Sequence, residues 1–149
     1  MTPRRLAWIL ALALCTEAGC ATVERDRALS REQMLAQAGF EKKLAESPAQ
    51  QSELQRLPSR MLVRVPRGGD TAYVYADVEY CRCLYAGNEQ AYSDFLAAVT
   101  REFIYNDTLG NPNPIPTPSP EATARYENLA RDSILDPTTE ASVDWRIWD

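Results

Sequence analysis

Cys81 and Cys83, separated only by Arg82, are the residues of this chain whose types and spacing most directly offer chemistry. Along an extended strand, residues i and i+2 lie about 6.4–6.8 Å apart, the upper limit of Cα separation for a disulfide, so a bond here requires a turn or bulge. Closing so short a loop stabilises a fold by only about 1.6 kcal/mol before strain is subtracted. Three chemistries are open. One is a structural bridge, or a pair of small buried hydrophobes, in an oxidising compartment. Another is a redox pair: strained, accessible disulfides are the labile ones, and Arg82 favours a thiolate, although the spacing is not Cys-x-x-Cys. The third is a soft-metal site, which lacks further ligands because the chain has no histidine and Met34 and Met61 stand alone.

Tyr73, Tyr75, Tyr80, Tyr85 and Tyr92 crowd the same stretch. Tyrosine suits a binding surface, with a flat apolar body and one polar tip, and equally suits a half-exposed sheet face, which is the preferred reading. Asp77 and Glu79, an acidic pair beside an expected turn, read as solvated. The absence of histidine removes the commonest general base near neutral pH. No Ser/His/Asp set, phosphate loop or zinc pattern occurs, and Gly68-Gly69 is too short to cradle phosphate. With 16 Lys+Arg against 21 Asp+Glu, net charge −5, no basic field invites nucleic acid. These observations predict a noncatalytic chain without a cofactor.

The elements that position this stretch begin after an export-type N-terminus. Arg4 and Arg5 precede a ten-residue apolar run at 6–15, a basic region followed by a hydrophobic one. Ten apolar residues are too few to span a bilayer, which takes about 20 as a helix. Glu17, Ala18, Gly19 and Cys20 then resemble the lipobox of bacterial lipoproteins, in which small residues precede an invariant cysteine. Glu17 departs from the pattern, which carries an aliphatic residue at that place. The resemblance implies cleavage before Cys20, lipidation of its sulfur, and acylation of the new N-terminus by palmitate-type chains. Two or three chains anchor a protein firmly where one does so only marginally. Ala21 after Cys20 is, by the same resemblance, compatible with the outer membrane, on its periplasmic face. The partners so implied are the membrane, through the lipid, and an envelope protein.

Residues 21–29 read as a polar tether, with Ser30 as N-cap of a helix that Gly39 stops. Residues 40–45 suit a strand with Phe40 and Leu44 on one face. Ser47 and Pro48 open a second helix as N-cap and first turn, with Leu54 and Leu57 as its buried stripe. Gly68-Gly69 predicts a hairpin between 61–65 and 71–76, with Tyr73 and Tyr75 on one face and Ala72, Val74 and Ala76 on the other. Residues 81–86 form a third strand. Asn88 caps a helix over 89–105 whose Tyr92, Phe95, Leu96, Val99 and Phe103 recur at intervals of three and four. Pro112, Pro114, Pro116, Pro118 and Pro120 then alternate, favouring an extended spacer. A helix from Ser119 to Arg131 follows, and then an acidic, mobile tail in which Trp145 and Trp148 dock either on the domain or on a partner.

The expected organisation is a signal peptide at 1–19, a lipidated tether at 20–29, an α+β domain at 30–105, a Pro-rich linker at 106–120, and a C-terminal helix and tail at 121–149. The fold class is α+β, with an antiparallel sheet of three or four strands packed by helices. AGF at 38–40, LP at 57–58, YVYAD at 73–77, CRCLYAG at 81–87 and AY at 91–92 resemble a group of small, uncharacterised proteobacterial lipoproteins across about residues 34–96. That resemblance implies an envelope location and a shared domain, and no particular activity. The leading expectation is a lipid-anchored interaction module. The alternatives are a thiol redox or thiol-metal protein using Cys81 and Cys83, and a structural spacer.

Overall fold

The computed structural model describes residues 17–109, 119–136, 139 and 141–149. The apolar run at 6–15 and the prolines from Pro112 to Pro118 lie outside the described residues. The chain divides into two units, Met1–Gln33 and Met34–Asp149.

Helix α1, Glu17–Gln37, crosses that division. The expected tether at 20–29 is therefore helical, and Ser30 lies inside the helix rather than at its N-cap. The physical reason is composition: from Cys20 to Gln37 there is no Pro or Gly, and Ala, Arg, Glu, Leu and Gln all propagate a helix well. Gly39 ends it as expected, at φ +92, and the Phe40 N–H donates back to the Leu35 carbonyl at 3.0 Å, a closure that satisfies the last turn.

In the second unit, four strands, β1 (Glu41–Leu44), β2 (Leu62–Arg67), β3 (Asp70–Asp77) and β4 (Cys83–Gly87), form one antiparallel sheet in the order β1-β4-β3-β2. The expected α+β class is observed. Gly68 and Gly69, at φ +60 and +97, make the two-residue hairpin between β2 and β3, which sets Val63 opposite Val74 and Val65 opposite Ala72. Helix α2 (Pro48–Leu54) starts at Ser47, whose side chain and Gln50 cap each other reciprocally. Helix α3 (Glu89–Thr108) starts at Asn88, whose Oδ1 accepts from the Ala91 N–H at 2.9 Å. Helix α4 (Pro120–Ile134) starts at Ser119.

Strand alternation sends Tyr73, Tyr75, Cys83 and Tyr85 to one face of the sheet, where they join Leu35, Phe40, Tyr92, Phe95 and Val99, with Ala130 and Ile134 from α4. Val63, Val65, Ala72, Val74, Leu84 and Ala86 take the other face, with Leu54, Leu57, Val143 and Trp148. Both faces are buried, so the tyrosine face is core rather than half-exposed. Only one end of the β1 reading holds: Phe40 is buried while Leu44 is 52% exposed. At Gly87 a side chain has no room, because an added Cβ would sit 2.7 Å from the Phe40 ring.

The packed unit extends well past residue 105. Helix α4 supplies core residues to the first face, and the chain around Val143 and Trp148 supplies them to the second. A domain of only about 75 residues would bury a marginal share of its surface, and the segments after the Pro run make up the difference.

Candidate functional site

The turn that a bond between the cysteines would require is present, where a strand over 81–86 was expected. Cys81 and Cys83 are joined as a disulfide with their Cα atoms 5.2 Å apart, within the ordinary range. The chain turns at Arg82, which takes φ +50, so β4 begins at Cys83 rather than at Cys81. The Arg82 carbonyl accepts from the Ala45 N–H at 3.0 Å, which extends the β1–β4 ladder by one pair. Cys83 is fully buried, Cys81 half-buried and Arg82 exposed. With each sulfur bonded to the other, the pair offers no thiolate to a metal in this state.

Asp77 stands directly across the ladder from Cys83, and it is buried rather than solvated. Its Oδ1 accepts from the Glu79 N–H at 2.9 Å and the Tyr80 N–H at 2.8 Å, and so holds the turn that leads to Cys81. Its Oδ2 finds no hydrogen-bond partner among the described residues. Glu79, by contrast, is exposed, as read from the sequence, and pairs with Arg60 at 3.0 Å. The left-handed conformation at Arg82 costs a residue with a Cβ roughly 1–2 kcal/mol, about what so short a loop returns. Changing both cysteines to Ser is therefore expected to move the unfolding free energy by less than about 1.5 kcal/mol, read from urea melts. A loss of several kcal/mol would make the bridge a pillar of the fold.

The tyrosines are positioned by the sheet and by α3. Tyr73 and Tyr92 stack with centroids 4.2 Å apart, and Tyr75 meets Tyr85 edge to face at 6.3 Å. The Tyr73 hydroxyl donates to Glu89 Oε2 at 2.8 Å. Burial first, and then the hydrogen bond to the Glu89 carboxylate, push its phenol from 10.0 up to about 12. Because the folded value is raised, the folded state favours the neutral phenol. The resulting stability is complete below pH 10 and is lost as pH rises from 10 through 12. Alkaline melts should show a loss on the order of 2 kcal/mol across that window, and Tyr73→Phe should flatten it. An unchanged slope in the variant would remove Tyr73 as the cause.

The tail that was expected to be mobile is a docked strap. Trp148 is buried, and its Nε1–H donates at 2.7 Å to Oε2 of Glu53, a carboxylate only 2% exposed. The other oxygen of Glu53 accepts from the Asp144 N–H, also at 2.7 Å. Gln50 Nε2 donates to the Ile147 carbonyl at 2.7 Å, and Trp145 Nε1 to the Pro66 carbonyl at 3.0 Å. Arg67 lies over the Trp145 ring, 4.3 Å from its centroid, and with Lys43 it also binds the Asp149 carboxylate. Of the two readings of the tryptophans, docking on the domain is the one observed. Sequence reasoning missed Glu53. Its signal was its place four residues before Leu57, on the apolar stripe of a short polar helix.

A cleft of about 360 Å³ runs between α3 and α4, lined by Leu96, Ala97, Thr100, Arg101, Ile104 and Glu127. Tyr105 and Leu109 near the end of α3, and Leu129 on α4, are exposed large apolar side chains. No helix among the described residues is long and apolar enough to cross a membrane. No protein family, curated protein or solved structure matches this chain.

Proposed function

We propose that this chain is a lipid-anchored interaction module of the cell envelope, held through Cys20 and noncatalytic in the domain that follows. The observation that carries the anchoring half is the order of residues at the N-terminus: a basic start, a ten-residue apolar run, and Ala18-Gly19-Cys20 directly beyond it. A bridged Cys81–Cys83 pair fits the oxidising side of the membrane. The module half is supported by what the reactive side chains do in the fold. Tyr73, Tyr75, Tyr85 and Tyr92 build the core, Glu53 holds the strap, and the Asp77 Oδ1 holds a turn.

The envelope partner is expected on the solvent side of α3 and α4, where exposed Tyr105, Leu109 and Leu129 accompany the cleft. A photocrosslinking residue at Ala97, in that cleft, should capture an envelope protein in intact cells, whereas one at Gly69, in the β2–β3 turn, should not. Capture at Gly69 alone would move the interaction surface to the β2–β3 turn. Capture at neither would count against a protein-binding module.

A further inference from the structure

We infer that the Cys81–Cys83 bond is an exchangeable disulfide, trading electrons with an external dithiol through the Cys81 sulfur. This exchange goes beyond the interaction role and does not depend on it: it is a stoichiometric two-electron transfer at one bond, in which the chain is a redox reactant and not a catalyst. The two sulfurs are unequal. Cys83 is fully buried in the core beneath α3, while Cys81 is half-buried at the turn, so an incoming thiolate meets Cys81 first. Exposed Arg82 places a positive charge beside the attacked position, and a cation favours the thiolate on either partner. Arg82 is also held at φ +50, and such backbone outliers gather at functional positions.

Asp77 supplies the third and independent observation. It lies across the β3–β4 ladder from Cys83 on the same face of the sheet, fully buried, and its Oδ2 has no hydrogen-bond partner among the described residues. Side chains paired in this way have Cβ atoms about 4.5–5.5 Å apart. In the disulfide neither sulfur carries a hydrogen. Reduction places an S–H donor at Cys83, on the face where the spare acceptor lies, and a buried acceptor gains by finding a donor. Asp77 is thus a positioning residue. Its Oδ1 fixes the turn that presents Cys81, and its Oδ2 favours the reduced pair.

The exchange runs in two displacements. A thiolate of the external dithiol attacks the Cys81 Sγ, forming a mixed disulfide, while the Cys81–Cys83 bond breaks and Cys83 leaves as a thiolate that takes a proton from water. The second sulfur of the dithiol, having given its proton to water, attacks the first and expels Cys81 as a thiolate, which is protonated in turn. Two electrons and two protons pass to the cysteines, and the dithiol ends as a disulfide.

The test uses the mature full-length protein, dithiothreitol and glutathione as probes, and mass spectrometry of the peptides carrying Cys81 and Cys83. In the native protein the pair should reduce and reoxidise reversibly with the glutathione ratio while circular dichroism stays folded. A pair that remains oxidised until the chain unfolds would overturn the proposal. With oxidised glutathione, Cys81 in Cys83→Ser should be modified at least about tenfold faster than Cys83 in Cys81→Ser, given their difference in access. Equal or reversed rates would overturn the assignment of Cys81. Asp77→Asn keeps the Oδ1 acceptor for the turn and replaces the Oδ2 acceptor by an amide NH2. It should make the pair harder to reduce by about tenfold in the equilibrium constant, about 30 mV for two electrons. An unchanged constant in a folded variant would exclude Asp77 from the site.

Discussion

Replacing Trp148 by Ala is expected to destabilise the domain by about 3–5 kcal/mol and to free the strap at its C-terminal end. The indole fills the second sheet face beside Val143, and its N–H satisfies a carboxylate oxygen that water does not reach. Removing it opens a cavity and leaves the Oε2 of Glu53 without its donor, while Oε1 keeps the Asp144 N–H and the Arg56 guanidinium 3.6 Å away. Against a typical stability of about 5–15 kcal/mol, that is a large fraction. Trp148→Phe separates the two contributions, since it restores most of the packing without the donor, and should cost about 1–3 kcal/mol. Urea melts give the free energies, and limited trypsin digestion reports the strap, because Arg146 lies within it and is exposed. Cleavage after Arg146 should be much faster in Trp148→Ala than in the native chain. A variant within about 0.5 kcal/mol of the native chain would mean that the strap contributes nothing to the fold.

Cys20→Ser is expected to have the largest effect in cells: no incorporation of labelled palmitate, and loss of the chain from the outer-membrane fraction. Each buried methylene of an acyl chain contributes about 0.8 kcal/mol, so two or three chains outweigh any contact a domain this small could make with a bilayer. The same substitution should leave the melting of the domain unchanged, since Cys20 precedes the packed unit that starts at Met34. Undiminished palmitate labelling in Cys20→Ser would move the attachment to another residue.

Local signals in the sequence predicted the local structure well. Gly68-Gly69, Asn88, Ser47-Pro48 and Gly39 each ended or began an element where they stand, because turns and caps depend on a few neighbouring atoms. The helical spacing of Tyr92, Phe95, Leu96 and Val99 likewise put α3 on the sheet. Long-range contacts were not legible. Trp148 meets Glu53 across 95 positions, and nothing near either residue announces the other. Asp77 looked solvated because its acidity was visible and the two N–H groups that donate to it in the interior were not. The tyrosines looked half-exposed because a strand shows which residues share a face and not whether a helix covers it. The tether failed differently. Ser30 is a good N-cap in isolation, but α1 was already running through it, and a capping residue does not interrupt a helix that has no breaker.

The candidate site divides in the same way. The cysteine pair was visible from its spacing, and the turn needed to bridge it followed from strand geometry alone. The fold supplied the observations on which the exchange proposal rests: the unequal burial of the two sulfurs, the left-handed Arg82, and a buried carboxylate with one oxygen unmatched among the described residues.

The anchoring is tested most directly by the intact mass of the N-terminal peptide from protein isolated out of its own membrane. The account predicts a peptide that begins at Cys20 and carries acyl mass on it. A peptide that still begins at Met1, or one whose Cys20 is an unmodified thiol, would contradict it.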